Sequence, residues 1–162
     1  MVVKIIAHRG NIDGPSEEEN HPDRIDKCIS LVYDVEIDVR YDYLNIPCLH
    51  SNIFWLGHDD PQYKVSWKWI SNRHKHLWIH CKDIMTLYEF SARATPSYQY
   101  FWHQGDDFTL TSGNNIWTYP GNPCTSRSIM VMPEETMDVD KISDLKVSDC
   151  YGICTDYPSK LK

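Results

Sequence analysis

The sequence predicts a mixed α/β fold: one domain over 1–162, built as a compact TIM-type β/α barrel. Apolar segments repeatedly end in His, Asp, Glu or Lys and lead into a loop and often a helical pattern, which is typical of parallel β/α structure. One segment alternates strictly between apolar and charged residues. The chain has 162 residues. A closed eight-stranded barrel usually needs about 200 or more, so we expect trimmed helices or a missing strand.

The first forty residues predict a strand, a helix and a second strand. The apolar run 2–6 predicts a short buried strand. Apolar residues at helical spacing, with Asn20 as the N-cap and Pro22 in the first turn, predict a helix over about 22–31. In 33–40, aliphatic residues alternate with charged ones, which predicts a strand with one apolar and one charged face.

The remaining sequence continues the pattern of strands and helices. Residues 41–53 are irregular, and the apolar run that follows them leads into His58. The later segments predict helices over 65–70, 83–93 and 135–145, and strands over 77–82, 98–103, 108–112, 116–119, 128–132 and 151–154.

The composition narrows the classes of function. A formal net charge of −7 disfavours nucleic-acid binding, because a phosphate backbone is bound by basic surfaces. No apolar run is long enough to span a bilayer, and the N-terminal residues show no export pattern, so we expect a cytoplasmic protein or one exported by another route. The six cysteines have neither CxxC nor zinc-finger spacing, and we expect reduced thiols.

Residues with useful chemistry collect at the ends of the predicted strands. His8 and Arg9 follow the first strand, and the carboxyl ends of parallel strands are where active sites are built. An imidazole moves protons near neutral pH, and a guanidinium can bind a phosphate through two hydrogen bonds. A surface His and Arg without a chemical role is the alternative. Other strand ends carry His58, His80, Lys82, His103 and Glu134.

Glu36 and Asp38 share the charged face of the second predicted strand. A rise of about 3.3 Å per residue places their Cα atoms about 6.6 Å apart. Two carboxylates directed at one space can share a hard cation such as Mg²⁺ or Ca²⁺. A solvated strand face is the alternative, but a charged row inside a barrel needs a partner. The strand therefore favours a divalent metal site.

These motifs, in this order, resemble the glycerophosphodiester phosphodiesterase family of phosphatidylinositol-phospholipase-C-like barrels. The resemblance covers almost the whole chain, and the first four motifs are its more specific part. The matching segments are His8-Arg9-Gly10, Glu19-Asn20, Glu36-Ile37-Asp38, His58-Asp59, Leu77 to Lys82, Ile116-Trp117-Thr118 and Ile153 to Pro158.

The resemblance implies an acid/base pair and a metal site. The pair would be His8 and His58, and the metal ligands would be Glu36 and Asp38. A third-strand Glu that usually completes the family's metal site is His80 here. Imidazole suits softer ions, so we expect Mg²⁺ or Ca²⁺ but leave Mn²⁺ and Zn²⁺ open. His80 as a plain hydrogen-bonding core residue is the alternative.

The resemblance also implies residues that contact the substrate. Arg9 and Lys82 would bind the phosphate, whose charge they would help to neutralise. Outside the motifs, His103 and Glu134 lie at strand ends and are pocket residues by position. Trp117 would form a wall of the pocket. A surface loop for His103 and a core position for Trp117 are the alternatives.

The second histidine of the acid/base pair has two possible positions. His50 has the family's usual spacing from the Glu, but Ser51 follows it. His58 has the expected Asp59 beside it, so we choose His58 and assume an insertion within 41–51.

The sequence-based expectation is therefore a metal-dependent phosphodiester hydrolase that acts on small glycerophosphodiester-like substrates. The chain is short for the family and has little room for a lid, so the site is expected to be open, and a substrate that belongs to a macromolecule is the alternative to a small one. A lyase that forms a cyclic phosphate and a phosphate-ester-binding module without turnover are the alternatives. The head group and the oligomeric state are left open.

Overall fold

The computed structural model describes residues 3–43, 52–147 and 149–162. It contains α1 (Pro22–Ser30), α2 (Trp67–Arg73) and α3 (Ile84–Arg93). The strands are β1 (Lys4–Ala7), β2 (Asp34–Tyr41), β3 (Ile53–Leu56), β4 (Tyr63–Ser66), β5 (Leu77–Cys81), β6 (Gln99–Phe101), β7 (Phe108–Leu110), β8 (Ile116–Thr118), β9 (Ser128–Val131) and β10 (Gly152–Thr155). Short 3₁₀ segments span His8–Gly10, His74–His76, Pro133–Glu135, Val139–Val147 and Pro158–Leu161.

The ten described strands form one mostly parallel sheet, which confirms the predicted α/β class. Seven strands run parallel in the order β6-β5-β2-β1-β10-β9-β8. The antiparallel strands β3 and β4 extend from the end of β2, and β7 pairs antiparallel with β8. Because β1, β2, β5 and β10 are parallel neighbours, their carboxyl ends meet at one edge of the sheet.

The sheet curls, and its two ends come together on the concave side. Trp78 of β5 and Trp117 of β8 have ring centroids 6.0 Å apart, and Phe101 of β6 lies 4.5 Å from Trp117. Beyond β7, the Ser112 amide donates to the Tyr100 carbonyl of β6 at 2.9 Å. No strand ladder joins β7 to β6 in the described part of the chain, so a closed β/α barrel is not confirmed.

The helices begin where the sequence supplies a cap. Ser66 accepts a hydrogen bond from the Trp69 amide, and Asp83 accepts one from the Thr86 amide, which satisfies free N–H groups at the starts of α2 and α3. The predicted N-cap of α1, Asn20, is wrong. His21 caps the helix through its ring nitrogen, and Asn20 instead lies buried in the site described below.

Two predicted helices differ from the structure. The segment 65–70 begins as the last residues of β4, because Val65 is buried and pairs with Phe54 of β3, and the helix starts only at Trp67. The segment 135–145 forms 3₁₀ turns rather than an α-helix. In this polar segment Ile142 is fully buried, and a single buried anchor gives no continuous apolar face to support an α-helix.

Candidate active site

The carboxyl ends of β1, β2 and β5 bring the predicted polar residues together. Asp38 and His80 are direct partners in the β2–β5 ladder, and β1 places His8 beside β2. The side chains face a cavity of about 420 Å³. Residues that line this cavity include His8, Arg9, Glu19, Glu36, Asp38, His58, His80, His103, Trp117, Tyr119, Met132, Glu135 and Asp156.

Glu36, Asp38 and His80 form a compact buried group that could hold a metal ion. One donor atom from each lies within 4.8 Å of the other two. Nδ1 of His80 is 3.1 Å from Asp38 Oδ1 and 3.9 Å from Glu36 Oε1. Asp38 Oδ1 is buried and has no partner at hydrogen-bond geometry. The Lys82 ammonium lies 3.2 Å from this oxygen, so a cation already faces it, and a bound metal ion could take that place.

Arg9 is already engaged with the carboxylates around it. Its backbone amide donates to Glu36 Oε2 at 3.2 Å, and its guanidinium donates to Glu19 Oε2 at 3.0 Å. Nε of Arg9 also lies 3.2 Å from Asp38 Oδ2. Arg9 has a φ of 51°. This left-handed backbone conformation is uncommon for residues other than glycine and is often found at functional sites.

Lys82 reaches the same carboxylate from β5. Its Nζ lies 3.2 Å from Asp38 Oδ1, and its side chain is largely buried. The cavity surface itself is formed by other residues. In this arrangement Lys82 neutralises Asp38, and a contact with a phosphate would require the ammonium group to turn towards the cavity.

His8 is held by the last strand of the sheet. Its Nδ1 is 2.8 Å from Oδ1 of Asp156, and Asn11 donates to the same oxygen at 2.7 Å. Burial alone would lower the pKa of His8, but the hydrogen bond to Asp156 and the charge of Glu36 outweigh it and raise the pKa above its ordinary value. Nε2 of His8 lies 4.0 Å from Glu36 Oε2, and both residues line the cavity.

The two carboxylates have opposite electrostatic environments. Burial, together with the charge of Asp38, raises the pKa of Glu36 to about 7. Burial also disfavours ionised Asp38, but its contact with His80 and the charges of Lys82 and Arg9 outweigh burial and hold its pKa well below the usual range. Asp38 is therefore the anionic centre of the group, and Glu36 takes up a proton more readily.

Asp38 is fixed from the helix side by Asn20. The Asn20 side chain donates to Asp38 Oδ2 at 3.0 Å and accepts from the Asp38 amide at 2.9 Å. Both residues are fully buried. The Glu19-Asn20 motif thus contributes two contacts to the site: Glu19 binds Arg9, and Asn20 orients the carboxylate of Asp38.

His58 lies at the cavity rim, in the loop between β3 and β4. Its side chain is 39% exposed and its Nδ1 lies 2.8 Å from Asp59 Oδ1. Arg40 holds this loop by donating to the carbonyls of Gly57, His58 and Asp59. The structure thus brings His58 to the same cavity as His8. The alternative histidine, His50, lies outside the described residues.

Aromatic and imidazole rings form the opposite wall. His103 stacks on His80 with ring centroids 4.6 Å apart and contacts Tyr119 at 4.4 Å. Burial, with the nearby charges of His80 and Lys82, lowers the pKa of His103 to about 4, so its ring is neutral near pH 7. Trp117 is buried and also reaches the cavity.

Glu134 lies behind the cavity wall, and the neighbouring Glu135 lines the cavity in its place. Glu134 accepts hydrogen bonds from the Thr155 hydroxyl at 2.9 Å and from the Asp156 amide at 2.7 Å. The predicted pocket residue therefore fixes the backbone that carries Asp156.

Sequence reasoning assigned no role to Asp156, Asn11 or Tyr119. Asp156 was present in a matched motif, and its position just after a strand was a usable signal. Asn11 looked like an ordinary loop residue, yet it is fully buried and links Glu19 to Asp156. Tyr119 follows β8 without a distinctive pattern, so only the curl of the sheet reveals that it reaches the cavity.

No family model matches the chain, and comparisons with curated proteins and with solved structures gave no significant match. The resemblance to the phosphodiesterase family therefore remains a prediction from motifs. Within the described ranges, none of the helices has the length and apolar character needed to cross a bilayer.

Proposed function

We propose that this protein is a metal-dependent phosphodiester hydrolase with an incomplete TIM-type barrel, acting on small glycerophosphodiester-like substrates in the cytoplasm. The observation that carries the proposal is the meeting of the Glu36, Asp38 and His80 group with a hydrogen-bonded His8 in one cavity. Metal ligands, a proton carrier and a guanidinium side by side are the groups that phosphodiester cleavage needs.

The donor set fits a divalent ion. Glu36, Asp38 and His80 would hold it, and at Asp38 Oδ1 the ion would take the place of the Lys82 ammonium, which lies 3.2 Å away without hydrogen-bond geometry. Such an ion, when bound, offsets the charge of a phosphate and activates oxygen nucleophiles.

The two histidines would move the protons. Asp156 holds Nδ1 of His8, which leaves Nε2, 4.0 Å from Glu36, as the nitrogen for proton transfer in the cavity. His58 at the cavity rim would exchange the second proton, on the side of the phosphate opposite His8. Its Nδ1 lies beside Asp59 Oδ1. Each transfer of this kind contributes about 10²–10⁴-fold to the rate.

Arg9 is the group best placed to bind the phosphate. It lines the cavity beside Asp38 and Glu36. An anionic ester would compete with Glu19 for its guanidinium. Lys82 would join only after it leaves Asp38 Oδ1.

A phosphate-ester-binding module is the second candidate, and one observation favours it. Arg9 and Lys82 both lie 3.2 Å from oxygens of Asp38. Two cations from the chain itself can balance the charge of the carboxylates, so the site does not depend on a metal for its charge balance. Binding of a phosphate ester without turnover would support this candidate.

The test is hydrolysis of a panel of glycerophosphodiesters by the full chain with Mg²⁺, Ca²⁺, Mn²⁺, Zn²⁺ or a chelator. We expect turnover that needs a metal and is lost in His8→Ala. His76→Ala removes a half-exposed histidine outside the cavity and should retain activity. A monoester product supports the hydrolase, whereas a cyclic phosphate supports the lyase. Folded protein that gives no product with any ion would contradict the proposal.

A further inference from the structure

The carboxylates of the metal group have only part of their oxygens available. Glu36 Oε2 already accepts the Arg9 amide at 3.2 Å. Asp38 Oδ2 accepts the Asn20 side chain at 3.0 Å and lies 3.2 Å from Arg9 Nε. The atoms directed at His80 are the remaining oxygens, Glu36 Oε1 and Asp38 Oδ1. Each carboxylate therefore offers one oxygen to an ion.

The third donor is a nitrogen whose orientation is fixed. The His80 ring is stacked against two rings: Phe101, at a centroid distance of 5.2 Å and an interplanar angle of 6°, and His103, at 4.6 Å and 16°. Next to these two rings, the imidazole has its Nδ1 towards Asp38 Oδ1 and Glu36 Oε1, at 3.1 and 3.9 Å. Tilting the imidazole plane would break both stacking contacts, and the contact of Nδ1 with Asp38 Oδ1 favours the nitrogen on the carboxylate side.

The number and kind of these donors distinguish between ions. Ca²⁺ takes six to eight oxygens, and Mg²⁺ demands octahedral oxygen coordination. Zn²⁺ in catalytic sites takes about three protein donors, with imidazole among its preferred ligands, and leaves a further position open. The distances between the donors are compatible with any of the three ions. The small number of protein donors and the presence of an imidazole nitrogen among them therefore favour Zn²⁺ over Ca²⁺ and Mg²⁺.

We propose that the Glu36, Asp38 and His80 group binds a Zn²⁺-class transition ion, with His80 Nδ1 as the ligand that sets its preference over Mg²⁺ and Ca²⁺. This inference rests on the metal site of the proposed function and names its ion. The incoming ion takes the position of the Lys82 charge at Asp38 Oδ1, where the ammonium lies 3.2 Å away without hydrogen-bond geometry.

The test measures ion binding in the absence of substrate. The chelator-treated 162-residue chain is titrated calorimetrically with Zn²⁺, Mg²⁺ and Ca²⁺, and Co²⁺ is added as a spectroscopic probe for Zn²⁺. We expect Zn²⁺ to bind most tightly and Co²⁺ to give the intense visible bands of four-coordinate geometry. In His80→Glu, which restores an all-oxygen donor set, the preference for Zn²⁺ over Mg²⁺ should fall at least about tenfold.

His76→Ala is the control, because it removes a half-exposed imidazole that lies outside the cavity. Its ion preference should stay within about threefold of the unmodified chain, since it removes no donor of the metal group. Circular dichroism establishes that both variants fold. If His80→Glu misfolds, the Co²⁺ spectrum and the ion preference of the unmodified chain still test whether the group prefers Zn²⁺ to Mg²⁺ and Ca²⁺.

The outcomes separate this inference from the proposed function. Tighter binding of Mg²⁺ or Ca²⁺, or an unchanged preference in folded His80→Glu, would overturn the inference and leave a metal-dependent hydrolase intact. His80-dependent Zn²⁺ binding with no phosphodiester turnover would support the inference and refute the hydrolase. Failure to bind any divalent ion would overturn both.

Discussion

The ring of His8 is oriented by a residue from the other end of the chain. Asp156 follows β10, which pairs with β1, so the first and last strands of the sheet create the His8–Asp156 contact. Asn11 and the Glu134 carboxylate then hold Asp156 in place. The proton carrier of the proposed reaction is thus fixed by a network in which only His8 was assigned a catalytic role from sequence.

Replacing Asp156 with Asn tests this positioning role. Asn keeps a similar shape but removes the charge that favours protonated His8 and offers an amide donor towards Nδ1, so the proton at Nε2 is wrongly placed. We expect kcat to fall about 10²–10⁴-fold, in the range of a lost proton transfer. KM and the thermal midpoint should change little. Steady-state kinetics and thermal unfolding measure both effects.

A carboxylate away from the cavity is the control for Asp156→Asn. Asp140 pairs with Lys160 on the exposed surface, so Asp140→Asn should leave kcat unchanged. If Asp156→Asn raised KM alone, or lowered the thermal midpoint in parallel with kcat, the residue would have a binding or structural role instead.

Among the structural elements, the loop between β3 and β4 depends on one glycine. Gly57 has a φ of +144°, and a Cβ atom there would overlap the carbonyl oxygen of Asp60. Its amide donates to the Asp38 carbonyl at 3.1 Å. Gly57 therefore allows the tight turn from 57 to 60 within this loop and helps to set the position of His58.

We expect Gly57→Ala to destabilise the fold by more than the about 1–3 kcal/mol that backbone strain costs at a position of positive φ, because the overlap with Asp60 adds to that cost. Because the loop must shift to relieve the overlap, turnover should fall as well. Gly105→Ala is the control: its φ is +151°, but nothing lies within 4 Å of the added methyl group. Denaturant unfolding compares the two. Equal losses would show that the overlap with Asp60 contributes nothing.

The sequence predicted elements well where local periodicity and burial agree. The alternation in 33–40 identified β2 and placed Glu36 and Asp38 on one face, and both residues line the cavity. The sequence-based prediction was wrong where contacts between distant segments determine the secondary structure. The strand β4 exists because it pairs with β3, and the helix predicted over 135–145 has too few buried residues to form.

At the scale of the whole molecule, the site depends on the curl of the sheet. Tyr119, after β8, reaches His103, after β6, although these strands lie at opposite ends of the parallel order. No single segment of the sequence determines the contact between Tyr119 and His103. The aromatic and imidazole side chains of this cavity wall could therefore not be assigned from local sequence patterns. What brings the ends together is packing on the concave side and the link between the β7 end and β6.

Ser112 provides much of that link. Its hydroxyl accepts from the Tyr100 amide at 3.0 Å and donates to the Tyr98 carbonyl at 2.8 Å, in addition to the backbone contact. We expect Ser112→Ala to lower the free energy of unfolding by about 1 kcal/mol, the net value of such bonds at an exposed position. The Tyr100 amide should also exchange its hydrogen faster, because it loses its acceptor.

Ser91→Ala distinguishes this link from an ordinary serine contact. Ser91 is also exposed, but its hydroxyl donates to the Tyr88 carbonyl within α3, so removing it affects one helix only. We expect no change in hydrogen exchange at Tyr100 in this control, measured by native-state exchange alongside Ser112→Ala. If Tyr100 exchanges at the same rate in both variants, the Ser112 hydroxyl does not tie the ends of the sheet together. The concave packing of Trp78, Phe101 and Trp117 would then account for the curl by itself, because these rings already bring β5, β6 and β8 into contact.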